Sequence, residues 1–565
     1  MTGQDINLTL LLASDTELPE AEVVWGTGGW IPAREREALD WLTLARLLGW
    51  GIGIIRPCAS DTGVELSSAG SRVVVAGDPD RLGENVIAQL TLKLSTEPCL
   101  VLARAGAPGS AFARLSGAAR QTDDVGGRSL RWSGPGPEQE WSCRNPHRGS
   151  GLDSSEENAI WATIDGVPTI TARRVGCGVV ATLGFHPSEA RDANGAVTAL
   201  LRRLLVWGVD QTTAWLDWEG TLILRMDDPG SAESVHHQIY SHSRMSEADW
   251  MAIGTDLQRR DARLSIGYVS GWVDDGDVAR GSLKVAGRSS RRVPGKIHPS
   301  PLVQYERATN PNGNVIHDYI SEFRGIQAIR KAGSGDVELH GYTHMHPDTA
   351  SWASAPDRYE SVQWYRELGA TAASFIAGRP AGEHPLVRGM AAFRRFFKTQ
   401  PTTLICPGEQ WTNRSLECAL QLGVQLVGSY YLAIRDGNRF CWAQHICSPY
   451  LDKPDPAWFD AGLPVVGYFH DFDVCRNGVE WFGAWLDMWQ RAGAKRIIDY
   501  RELAAALNRR LRVEESAGGP CVKVRSEGGP ALVRPLPICI RAGHRDKPPE
   551  ILVHDDDQTS MERSI

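Results

Sequence analysis

Short apolar runs alternate with amphipathic segments along most of the chain. "NLTLLLA" at 7–13, "GIGIIRP" at 51–57, "SRVVVAG" at 71–77 and "CLVLARAG" at 99–106 are continuous enough to predict strands covered on both faces. Between them, residues 33–48 ("AREREALDWLTLARLL") and a stretch near 82–94 carry the spacing of amphipathic helices. After a polar, Gly- and Ser-rich section at about 106–155, "GVVATLGFHPS" adds a strand and "GAVTALLRRLLVWG" at 195–208 a helix. This order predicts an α/β unit over 1–210 with an open, largely parallel sheet.

A linker at 211–219 leads to a second alternating region over 218–510. Its strand-like runs are "TLILRM", "ARLSIGYVS", "DVELHGYT", "TTLICPG", "VQLVGSYY", "LPVVGYFH" and "KRIIDY", with helical patterns at 318–331, 357–369, 413–422 and 478–491. Strands alternating with helices over this length predict a distorted (β/α) barrel. The tail, 512–565, holds β-like pieces and a polar end, "DDDQTSMERSI", expected to be disordered.

Composition narrows the function classes. The 565 residues exceed one core, and 42% apolar with 23% charged residues is ordinary for a globular chain. A net charge of −8 gives no support to nucleic-acid or anionic-membrane binding, which need a basic face. The first residues lack a basic segment, and "LTLLLA" is too short for a signal core or a span. Eleven cysteines without a C-x-x-C pair fit reduced thiols, so a cytoplasmic location is expected. Twenty tryptophans suit either a core or sugar faces.

Barrel enzymes draw catalytic groups from the C-terminal ends of their strands. Those ends carry "MDDPG" with Asp227 and Asp228, "HGYTHMHPD" with His340, His344 and His346, "CPGEQWT", and "HDFD" with His470. Two adjacent aspartates at the end of a buried strand repel, unless a cation compensates or the pair merely begins a turn. His340 and His344, four apart on a helical turn, would face one side and share a metal with an Asp oxygen. His236, His237 and His242 read as a polar loop or helix face, and "GWVDDGD" at 271–277 as a turn cluster.

Together these motifs resemble the polysaccharide deacetylase superfamily, the carbohydrate esterase family 4 barrel and its relatives, over 218–510. The resemblance implies Asp227 as general base, Asp228, His340 and His344 as ligands of a divalent metal, most simply zinc, and His470 as general acid. It implies hydrolysis of the acetamide of an N-acetylated amino sugar or glycan. Residues 1–210 resemble the class I glutamine amidotransferase-like fold in strand order, yet the turn that would hold its nucleophile reads "ARAGAPG", and Cys99 lies at the strand start. A non-catalytic scaffold or substrate-binding unit is therefore expected there.

Two departures from the deacetylase pattern stand out. Where that family has an Arg two residues before a Pro, this chain has Ile405 before Pro407, and Arg225 is the candidate substitute. A second register would pair Tyr342 with His346 and leave His344 off the metal. Arg225, Pro407, Gly408 and Trp411 are assigned to the substrate side, with backbone amides near Pro407–Gly408 for the oxyanion and Glu409 as a further lining residue. Two competing readings remain: a degenerate barrel that only binds carbohydrate, and a hydrolase of a cyclic amide or imide.

Overall fold

The computed structural model describes residues 7–13, 33–57, 66, 71–187, 195–236, 242–308, 315–354, 365–429, 432–443, 453–516, 519–526, 528–541 and 553–555. The chain is a mixed α/β protein built on two nine-stranded sheets. In the first, Ile52–Ile55, Leu8–Leu11, Val73–Ala76, Leu100–Arg104 and Gly178–Leu183 lie side by side in parallel. Their runs ("VVVA", "LVLAR") are buried because helices such as Glu84–Thr96 and Ala196–Trp207 cover the sheet.

The expectation of a largely parallel sheet holds for only half of it. Beyond Gly178–Leu183 the order continues antiparallel through Val167–Val175, Ala159–Ile164, Ala118–Trp132 and Gln139–Ser154. The last two strands form a long hairpin where the sequence reads as a polar loop. Register shifts at Arg120/Asp124 and Gly127/Ser129 break the alternation that would have revealed it.

The second sheet runs Arg439–Ala443, Leu432–Asp436, Leu426–Gly428, Thr403–Ile405, Gly335–Leu339, Leu264–Tyr268, Thr221–Asp227 and Val465–His470, with Arg496–Ile498 also on Thr221–Asp227. All seven expected strands are present and mutually parallel, and the Leu432–Asp436/Arg439–Ala443 hairpin is antiparallel. Among the described residues the two edges do not pair, so the barrel is open. Helices Tyr319–Lys331, Asn413–Gln421 and Val479–Ala492 fall where periodicity predicts them. Of the pattern at 357–369, residues 357–364 lie outside the described residues and 365–369 form turns.

Strands within 271–308 and 315–318 add small antiparallel sheets after Leu264–Tyr268. In "GWVDDGD", read from sequence as a turn cluster, Gly271–Val273 is a strand, Asp274 and Asp275 are buried, and Arg292 Nε donates to Asp274 Oδ1 at 2.8 Å. The linker is a strand in part, since Thr213–Leu216 pairs with Ile538–Arg541 of the tail. Of the polar end at 555–565, expected to be disordered, Asp555 closes the strand Val553–Asp555 and 556–565 lie outside the described residues.

One apolar core runs through both sheets, from Trp41, Leu44 and Leu47 through Trp215 and Trp218 to Leu222, Phe459 and Trp489. Trp218 Nε1 donates to Leu47 O at 2.7 Å and Trp50 Nε1 to Ala214 O at 2.9 Å, so both indoles serve packing across the junction. No helix of the described residues is long and apolar enough to cross a membrane.

Candidate metal centre

Thr221–Asp227 is buried at every position and lies between Leu264–Tyr268 and Val465–His470. Asp227 is its last residue and pairs in register with His470. The chain then leaves the sheet sharply. Asp228 has φ of 77° and Gly230 of 85°. A Cβ on Gly230 would stand 2.3 Å from Val269 O, so only glycine fits that turn. A non-glycine residue in the left-handed region costs about 1–3 kcal/mol, and the surroundings must hold it there. Glu322 does so by accepting the Gly230 N–H at 2.9 Å.

Asp228 faces two imidazoles. Its Oδ1 lies 3.1 Å from His340 Nε2 and 3.3 Å from His344 Nε2. The far nitrogens are engaged too: His340 Nδ1 is 3.0 Å from Ile405 O, and His344 Nδ1 is 3.0 Å from Glu233 Oε2. With a cation bound, Ile405 O and Glu233 would hold the ring protons on Nδ1 and leave both Nε2 atoms free to ligate beside Asp228, the usual outer-shell setting of metal-bound histidines. One donor atom from each of Asp228, His340 and His344 lies within 4.8 Å of the others, and all three residues are buried. Two imidazole nitrogens and a carboxylate oxygen fit zinc or a similar divalent cation, with positions left for exogenous ligands.

The two histidines do not sit on a helical turn, as the spacing suggests. The strand ends at Leu339, and His340 opens a bent loop with Gly341 at φ 66° and His344 at φ 60°. The rings meet edge to face, 4.7 Å apart. His346 turns elsewhere: its Nε2 is 3.2 Å from Thr371 O and its Nδ1 accepts the Asp348 N–H. The register through His344 is the one that converges.

Asp227 is held by Arg225 from its own strand. Arg225 Nε donates to Asp227 Oδ1 at 2.7 Å, Nη2 bonds the other Asp227 oxygen, and Nη2 also reaches Glu409 Oε1 at 2.6 Å. Nη1 donates to Ser429 O at 3.1 Å, and the guanidinium lies over Tyr468. Burial disfavours a charged Asp227, yet the Arg225 guanidinium outweighs it and holds the carboxyl below its ordinary range. Arg225 and Trp411 correct the substrate-side assignment. Arg225 is wholly buried with its donors spent on protein, and Trp411 is buried in the core. Pro407 is buried as well, packing beside Gly341, and Gly408 stands in a left-handed turn against Tyr365 and Arg366. The Glu409 N–H is committed to Cys406 O at 3.0 Å.

His470 has 23% of its side chain exposed, enough to meet a ligand, and its Nε2 is 4.0 Å from Asp228 Oδ2. Asp473 accepts its backbone N–H at 2.8 Å and lies 3.7 Å from Nδ1. Burial favours the neutral ring, but Asp473 and the two strand-end aspartates push His470 up to about 9. Behind it, Arg244 joins Asp471 to Glu322, tying the end of Val465–His470 to the turn after Asp228.

Sequence reading missed Glu233 and Glu367. Glu233 follows Asp228 by five positions in "DDPGSAE", an offset that no general pattern marks. His237 lies outside the described residues, and His236 packs between Trp272 and Trp352.

No protein-family model matches the sequence, and neither does any curated protein. Among solved structures, the chain is similar to Agd3, a carbohydrate deacetylase, at 11% identity over 94% of this chain and 93% of that one, with a TM-score of 0.42. It is also similar to a mutant CE4-family pseudoenzyme with restored enzymatic activity, at 9% identity over 50% and 65% of the two chains, TM-score 0.25. An exo-beta-1,4-mannosidase from Opitutaceae bacterium strain TAV5 matches at 16% identity and TM-score 0.24, the likeness covering 35% of this chain and only 33% of the mannosidase.

Proposed function

We propose that the protein is a metal-dependent hydrolase that removes the acetyl group from an N-acetylated amino sugar or glycan. The observation that carries this reading is the meeting of three donors, Asp228, His340 and His344, beside a carboxylate and an imidazole that are themselves register partners. A divalent cation held by the three would act as a Lewis acid toward water and the acetamide carbonyl.

The chain's own groups then divide the proton transfers. Asp227, kept anionic by Arg225, accepts a proton from the water that attacks the carbonyl carbon. His470, with the Asp473 carboxylate beside its Nδ1, donates to the amine nitrogen as the C–N bond breaks. Acetate and the free amine are the products. The guanidinium that the sequence pattern lacks before Pro407 is supplied by Arg225, which favours catalysis over a barrel that only binds carbohydrate.

Metal analysis of the purified protein, followed by amine release from a panel of N-acetylated sugars, tests the proposal. One equivalent of zinc with amine release from at least one sugar supports it. A metal-free, inactive protein that still binds the sugars would favour the binding reading.

A further inference from the structure

The loop that carries both histidine ligands has two left-handed residues and no regular hydrogen-bond ladder, so something else must hold its shape. Three successive backbone N–H groups, of Tyr342, Thr343 and His344, converge on the Glu367 carboxylate at 2.8, 3.0 and 3.2 Å. The Thr343 hydroxyl adds a fourth bond at 2.8 Å. Glu367 is 1% exposed, and a Cβ on Gly341 would stand 2.1 Å from its Oε2, so loop and carboxylate fill each other's space. Concave rows of N–H groups ordinarily collect an external anion. Here the chain provides its own, from 23 residues beyond His344.

We propose that Glu367 is the positioning residue of the metal centre: its carboxylate folds 341–344 into the shape that brings the His340 and His344 Nε2 atoms onto Asp228. This rests on the metal-centre reading above. Glu367 is not one of the three donors, so it acts on the site through the loop and through its charge beside His344 rather than by ligation. A glutamine replaces it imperfectly: Oε2 accepts from the Tyr342 and His344 N–H groups and Oε1 from the Thr343 N–H and hydroxyl, so an NH2 group at the first site opposes two N–H donors and at the second opposes the Thr343 N–H, where only the hydroxyl can turn to accept.

The test measures zinc affinity by competition with a chromogenic chelator, together with the visible spectrum of the cobalt(II) form, for the full chain and for E367Q and T343V. Circular dichroism of the metal-free proteins checks that each is folded. A folded E367Q whose zinc affinity drops by about 10–100-fold, the usual effect of losing an outer-shell partner, supports the proposal, as does an altered cobalt spectrum. T343V, which loses one bond of four, should fall by less. A folded E367Q with unchanged affinity and spectrum overturns it. If E367Q does not fold, unchanged zinc affinity in T343V overturns it equally. A wild-type chain that takes up no zinc fails the metal-centre reading itself, and this inference with it.

Discussion

Asp227 and His470 are the last register pair between the parallel strands Thr221–Asp227 and Val465–His470. Residues opposite each other on neighbouring strands project to the same face, and strands lie about 4.8 Å apart. The proposed base and acid are thus spaced by the sheet ladder, and Asp228, the proposed metal ligand, follows the base directly in sequence. Rigid elements set the reacting geometry here, whereas the loop histidines depend on outer-shell support.

Division of labour along "MDD" gives a first expectation. Asp227→Asn should retain the metal and lose turnover by roughly 10²–10⁴, and His470→Ala should do the same. His340→Ala should lose the metal. Metal content and amine release measured on the same preparations distinguish the roles. Loss of metal from Asp227→Asn would require the base and ligand labels to be exchanged.

Arg225 neutralises two carboxylates with no exposure to water. Arg225→Met should destabilise the fold by about 3–5 kcal/mol, because Asp227 would be left buried and Glu409 half-buried without a counter-charge. Arg225→Lys should fold and bind metal but turn over more slowly, since an ammonium cannot hold both Asp227 oxygens in the fork of a guanidinium. Urea unfolding and turnover of the two variants give the comparison. Wild-type stability in Arg225→Met would contradict the account.

Outer-shell support of His344 comes from Glu233. Glu233→Gln should lower zinc affinity by about 10–100-fold while the apo fold persists. Chelator competition reads this directly, and an unchanged affinity would mean that Glu233 does not orient the ring.

A pH effect is expected away from the site. Glu338 is buried on Gly335–Leu339, and burial with nearby Asp336 pushes its carboxyl up to about 8 from the ordinary 4.5. The folded chain therefore keeps a proton that the unfolded chain releases. By linkage this contribution is neutral below about 4.5, erodes stability as pH rises toward about 8, and is level above. Glu338→Gln can keep the pattern, with its oxygen accepting from the Thr402 and Thr403 N–H groups and its amide donating to Thr402 Oγ1. The variant should gain stability over wild type between pH 5 and pH 8.5. Parallel urea-midpoint curves for the two proteins across that interval would refute it.

Much of the barrel was legible because its strands are fully buried. "TLILRM" and "LPVVGYFH" are continuous apolar runs, and the candidate residues Asp227, Asp228 and His470 sit at their ends, where barrel geometry puts them. Features that depend on distant partners were hidden. Nothing in "HGYTH" reveals a loop rather than a helical turn, because its shape is imposed by Glu367. Arg225 looked accessible from a strand end, but Asp227, Glu409 and the Ser429 carbonyl enclose it. The Ala118–Trp132/Gln139–Ser154 hairpin was masked by its own bulges.

The central claim is that the three-donor site performs metal-dependent deacetylation. The most direct measurement is acetate release from a panel of N-acetylated amino sugars, made on the zinc-loaded protein, again after chelation, and again after zinc is restored. The account predicts release from at least one sugar, its loss on chelation and its recovery with one equivalent of zinc. Release that survives complete metal removal, or none from any sugar by a fully loaded protein, would contradict it.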